Sequence, residues 1–140
     1  MKMKSILKTG VNKEDIVLFG KIRQAILKLP SIDLGEKVPL SCHMLARAIG
    51  QIYELKVADG FFYPNFIHSW CTTKHENVID VYPVGIVSGP ILMTGHSMGP
   101  ARWLYKEKEI SEWFNLFFLS DEFIDKVEKI KIILEHNSLR

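Results

Sequence analysis

Apolar residues recur at helical spacing near both ends of the chain and alternate with polar residues in its middle. Ile16, Phe19, Ile22, Ile26 and Leu29 lie three or four apart, which places them on one face of a helix. Asn12, followed by Lys13-Glu14-Asp15, supplies an N-cap with acidic side chains in the first turn, and Pro30 closes the helix. Ser31 to Leu40 reads as a loop, holding Gly35 and Pro39. A second helix is expected from Ser41 or Cys42 to about Leu55. Its apolar side is Cys42, Leu45, Ala46, Ile49 and Tyr53, while His43, Arg47 and Glu54 fall on the opposite, polar side.

The period then changes from helix to strand. Lys56 to Ala58, His68 to Thr73 and Val78 to Tyr82 are expected strands, with Asp59-Gly60 as a turn or bulge and Lys74 to Asn77 as a hairpin loop. Val84 to Pro100 is rich in glycine and proline, with a short strand at Pro90 to Met93, and Arg102 to Tyr105 reads as another strand. Ile110 to Leu119 has the composition of a buried helix. Ser120 caps a last helix whose stripe is Phe123, Val127, Ile130 and Leu134. No linker divides the chain, and its length fits a single domain over 1–140.

Composition narrows the function. The chain has 140 residues, 47% hydrophobic and 24% charged, an ordinary globular balance. A net charge of +2, with its basic residues scattered, does not argue for nucleic acid. No run approaches the roughly 20 apolar residues of a membrane span, and the start lacks a signal-peptide pattern. A cytoplasmic location is expected, with Cys42 and Cys71 reduced.

Candidate chemistry centres on Cys42. At a helix start, unpaired N–H groups and the helix dipole favour the thiolate, which is the nucleophilic form of cysteine. On the expected hairpin, His68, Trp70 and Thr72 share one face, and Val78, Asp80 and Tyr82 share a face of the next strand. If Trp70 pairs with Asp80, then Asp80 is a diagonal neighbour of His68 at roughly 7–8 Å between Cα atoms, within reach of a hydrogen bond. A slip of one residue breaks that arrangement. Cysteine as nucleophile, histidine as proton carrier and aspartate as its orienting partner form a coherent set. Taken singly, each residue is more often structural: a packed cysteine, a hydrogen-bonded histidine, an aspartate that caps a turn.

Other constellations are weaker. Cys42, His43, His68, Cys71 and His75 are the residue types of a zinc site, but His68 and Cys71 face opposite sides of a strand, so no metal and no cofactor is expected. Gly95-His96-Ser97-Met98-Gly99 has the letters of a nucleophile elbow without its strand–helix context. It reads better as a loop at the rim of the Cys42 cleft, with His96 as a substrate contact. Phe61, Phe62, Tyr63 and Phe66 read mainly as core.

Ser41-Cys42-His43-Met44-Leu45-Ala46, His68-Ser69-Trp70 and Val78-Ile79-Asp80-Val81-Tyr82-Pro83 together resemble the transglutaminase-like, papain-related cysteine enzymes. The likeness is greatest to the small bacterial branch that includes the lasso-peptide leader peptidases. It covers about the middle third of the chain. It implies an α+β fold with a nucleophile helix packed on an antiparallel sheet and additional N- and C-terminal helices, with Cys42, His68 and Asp80 as the triad and a peptide or protein amide as substrate. Trp70 and Tyr82 are the expected substrate contacts beside it. No glutamine lies shortly before Cys42 to line an oxyanion hole, which leaves the Cys42 backbone N–H for that role, with a second donor from elsewhere. The alternative is a non-catalytic peptide- or protein-binding module of the same fold.

Overall fold

The computed structural model describes residues 11–26, 42–81, 90–94 and 101–138. In chain order the elements are α1 (Lys13–Ile26), α2 (Cys42–Tyr53), β1 (Lys56–Phe62), β2 (Phe66–Thr72), β3 (Val78–Asp80), β4 (Ile91–Met93), α3 (Ala101–Leu104), β5 (Tyr105–Glu107), α4 (Glu112–Phe118) and α5 (Asp121–Ser138). The strands form one five-stranded antiparallel sheet in the order β4-β3-β2-β1-β5. The architecture is α+β.

The main core lies on one face of the sheet. Ile22, Ala25 and Ile26 of α1, Leu45, Ala46 and Ile49 of α2, and Phe123, Val127, Ile130 and Leu134 of α5 close on Cys71 and Ile79. Burial of each large aliphatic or phenyl side chain contributes about 1.5–3 kcal/mol, so the helical layer holds the sheet from this side. The expected stripe of the last helix is buried throughout, and Ser120 caps it, its hydroxyl accepting from the Phe123 N–H at 3.2 Å. The opposite face carries a smaller cluster of Ala58, Trp70, Val78 and Tyr105.

A polar plug ties the start of α1 to the β2–β3 hairpin. The buried Asp15 carboxylate accepts from Thr73 Oγ1 at 2.6 Å and from Asn77 Nδ2 at 2.7 Å. Asn77 Nδ2 also donates to Asn12 Oδ1 at 2.9 Å. The acidic first turn therefore does more than complement a helix dipole: it satisfies the hairpin loop.

Four local expectations change. Asp59-Gly60 is not a turn, for both residues lie inside the seven-residue β1. Gly60 is needed there because a Cβ would run into the Lys106 backbone carbonyl of β5. Arg102 to Tyr105 is mostly the short helix α3, and its strand begins only at Tyr105. The helix of Ile110 to Leu119 forms as α4, yet it buries none of its residues: Trp113, Leu116 and the following Leu119 are 64%, 62% and 73% exposed. Its phenyl rings at Phe114, Phe117 and Phe118 supply the packed side instead. Finally, His43 and Arg47 on the polar side of α2 are only partly exposed, held by partners described with the site below. No helix among the described residues is long and apolar enough to cross a membrane.

Candidate active site

Strand register decides whether His68 and Asp80 meet. Cys71 pairs with Ile79 and Thr72 with Val78, which sets Asp80 opposite Trp70 and on the face of His68. His68 Nε2 lies 2.8 Å from Asp80 Oδ2, and both side chains are fully buried. The Tyr105 hydroxyl donates to the same Oδ2 at 2.6 Å. A carboxylate that accepts from tyrosine is an acceptor for the imidazole too, so Nε2 carries the hydrogen. Nδ1 is then the ring nitrogen left for another partner, and it makes no hydrogen bond of ordinary geometry. Trp70 stacks on the ring at 6.1 Å, while Phe62 and Tyr105 stand at 5.9 and 6.3 Å. This aromatic enclosure fixes the plane of the imidazole.

Pairing of β2 with β3 covers Cys71 with Ile79 and Thr72 with Val78, so the start of β2 has only β1 beside it among the described strands. Cys42, the first residue of α2, meets His68. Its half-buried thiol interacts with two imidazoles, His43 and His68. Partial burial pushes the thiol up; hydrogen bonding and charge from His43, then His68, outweigh it and bring it down to about 6. For His68, burial favours the neutral ring, but the hydrogen bond to Asp80 and the sulfur of Cys42 raise it to about 9. Between these values the pair is thiolate and imidazolium. Unfolded, the same two groups hold one proton as thiol and neutral imidazole over most of that range. The number of bound protons is equal in both states, so this pair leaves stability nearly flat there.

The other cysteine is the opposite case. Cys71 is fully buried, its thiol donates to the Ala46 carbonyl at 3.2 Å, and burial followed by the Asp80 charge pushes it up to about 12. Cys71 is a packing residue.

His43 corrects the sequence expectation. The helical spacing puts it on the polar side of α2, opposite Cys42. The Cys42 thiol nevertheless interacts with the His43 imidazole as well as with His68. His43 Nδ1 lies 2.7 Å from Ser69 Oγ. Arg47 Nη2 pairs with Asp59 Oδ2 at 2.7 Å. His43 and Arg47 are therefore held by partners on β1 and β2.

Trp70 is corrected as well. At 2% exposure, wedged against His68 and Tyr105, it has no surface left for a cleft wall. Its role is to hold the imidazole. Tyr82 and His96, and with them the Gly95–Gly99 motif, lie outside the described residues. Among the described residues no group of three His, Cys, Asp or Glu converges on a metal position. Tyr105 escaped the sequence reading. The one signal for it was a buried aspartate that a single histidine does not satisfy.

Comparison of the chain with family models, curated proteins and solved structures finds no match.

Proposed function

We propose that this protein is a cysteine-dependent acyl-transfer enzyme of transglutaminase-like (papain-related) type, acting on a peptide or protein amide. The observation that supports this best is the convergence, from three elements, of a helix-start thiol with a lowered pKa and a histidine whose far nitrogen is held by a buried carboxylate. A structural cysteine gains nothing from that arrangement, as Cys71 illustrates.

In this reading the Cys42 thiolate attacks the amide carbonyl, and the oxyanion is received by the Cys42 backbone N–H. Collapse of the tetrahedral intermediate breaks the C–N bond, and His68 Nδ1–H protonates the departing amine. The acyl group then rests on sulfur as a thioester. Water or a second amine attacks it, His68 Nδ1 takes the attacker's proton, and the thiolate returns. Water makes the enzyme a peptidase or deamidase; an amine makes it a transferase. Asp80, braced by Tyr105, keeps the imidazole in the tautomer that both steps require.

A simple activated ester tests this without knowledge of the natural substrate. With p-nitrophenyl acetate, a burst of p-nitrophenolate and the mass of one acetyl group on Cys42 are expected. A protein that acquires no acetyl group on Cys42, or is labelled there no faster than when denatured, is a binding module and not an acyl transferase.

A further inference from the structure

Residues 109–125 carry five acids and no lysine, arginine or histidine, inside a chain whose net charge is +2. The segment spans α4 and the first turn of α5. Both its ends are acidic: Glu112 opens α4, and Asp121 and Glu122 open α5. All three are exposed, and among the described residues none of them is paired with a lysine or arginine.

Between these acids lies an apolar strip. At helical spacing Phe114, Phe117 and Phe118 take one side of α4, Leu116 and Leu119 take the other, and Trp113 stands at the border. The first side is packed. Phe117 and Phe118 meet Phe123 of α5 at 5.2 and 5.0 Å, and Phe114 and Phe118 meet the His43 ring at 5.6 and 5.2 Å. Trp113 lies parallel to Phe117 at 5.4 Å, and Leu119, the C-cap, keeps helical backbone angles, so it extends the outer side beyond Leu116. The outer side of a helix ordinarily carries polar residues. Here three large apolar side chains face outward and contribute little to the core. An exposed apolar strip rimmed by charge of one sign is the pattern of an interaction site.

Charge selects the occupant. A second copy on a two-fold axis would set the acids of each chain against their own counterparts. A bilayer with anionic lipid is disfavoured for the same reason. A peptide with lysine or arginine beside large apolar side chains matches the face on both counts. We propose that the outer side of α4, with the first turn of α5, docks a cationic amphipathic peptide segment. Its apolar side chains cover Leu116, Leu119 and Trp113, while its cations reach Glu112 at one end and Asp121 with Glu122 at the other. The seven-residue α4 is about 10 Å long, so cations about seven residues apart on a helix, or three on an extended chain, span it. The packed side of α4 rests on His43, the neighbour of Cys42. On the acyl-transfer reading above, the docked segment therefore belongs to the substrate; the docking itself does not require the thiol.

Fluorescence anisotropy on the full chain, with a labelled helical peptide of leucine and lysine, tests this at low salt. One control replaces every lysine with glutamate, and another replaces every leucine with serine. The leucine–lysine peptide is expected to bind at least about 10-fold more tightly than either control. Leu116→Ser combined with Leu119→Ser weakens it by about 10-fold or more. Glu112→Gln combined with Asp121→Asn and Glu122→Gln weakens it by about 3- to 10-fold and flattens its salt dependence. Equal binding of the lysine and glutamate peptides, or an affinity unmoved in both folded variants, overturns the proposal. So does a dimer, or retention on phosphatidylcholine vesicles, that is lost in Leu116→Ser with Leu119→Ser, for the face then belongs to a second copy or to lipid. A protein that is acetylated on Cys42 but does not distinguish the peptides loses the docking face and keeps the enzyme. One that selects the lysine peptide but acquires no acetyl group keeps the docking face and loses the enzyme.

Discussion

Cys42→Ser is expected to lower acylation by p-nitrophenyl acetate on the order of 10³-fold or more while leaving the fold intact. The hydroxyl is smaller than the thiol by a fraction of an ångström in bond length, and the site around it is half-open, so packing hardly changes. What changes is acidity. The imidazoles of His43 and His68 bring a thiol to about 6, within reach of neutral pH. The same partners acting on an alcohol leave it protonated, because its starting pKa lies far above that of any imidazole. Serine nucleophiles work by proton transfer during attack, which requires a base that is free beforehand. Here His68 is raised to about 9 by Asp80 and Cys42, and although the serine variant loses the share due to sulfur, it keeps the ring bonded to Asp80. Burst kinetics with mass mapping of the acetyl group measures the effect. Equal rates for serine and cysteine would mean that acylation does not depend on a pre-formed thiolate.

Asp80→Asn is expected to weaken both the fold and the reaction. In the native protein one carboxylate oxygen receives His68 Nε2 at 2.8 Å and the Tyr105 hydroxyl at 2.6 Å, all within a fully buried setting. Asparagine offers an oxygen of similar reach but no charge, so burial again decides the protonation of His68 and favours the neutral ring. The thiolate loses its imidazolium, and acylation is expected to fall about 10²–10⁴-fold. Stability falls by about 2–4 kcal/mol, the cost of weakening a buried charged hydrogen-bond pair. The sign of its pH dependence follows from both members of the pair. A histidine raised above its ordinary value contributes stability that is complete below about 6.5 and is lost as pH rises to about 9. Cys42, lowered to about 6, contributes stability with the opposite slope over the same range. The two slopes cancel, so the difference between the native protein and Asp80→Asn is expected to stay nearly level from about pH 6.5 to 8.5. Urea unfolding at both ends of that window checks it; a penalty that changes steeply with pH would contradict the paired charges of Cys42 and His68.

Much of the helical layer was legible because burial imposes a period. Phe123, Val127, Ile130 and Leu134 are spaced for one face, and all four are buried. The hairpin was legible for the same reason, with alternation placing His68 and Asp80 on one side once Cys71 pairs with Ile79. The outer partners were not. His43 and Arg47 look like a solvated face of α2, since polar residues carry no mark of what they will meet. Their partners, Ser69 and Asp59, come from strands later in the chain, and Tyr105 comes from the far edge of the sheet. α4 misled in the other direction: an aromatic-rich segment reads as core, yet a helix of seven residues that packs through Phe114, Phe117 and Phe118 leaves Trp113 and Leu116 facing outward. Trp70 illustrates the same limit. Alternation put it correctly on the face of His68, but whether that face is a cleft or an interior depends on Tyr105 and Phe62, which no local pattern connects to it.

The thiolate–imidazolium pair is most directly tested by nitrogen-15 NMR titration of the His68 ring, with Cys42 Cβ carbon shifts followed in the same samples. The expected result is a His68 ring protonated on both nitrogens up to about pH 9, with Cys42 converting from thiol to thiolate near 6. A His68 ring that is neutral at pH 8, beside a Cys42 that remains a thiol there, would contradict it.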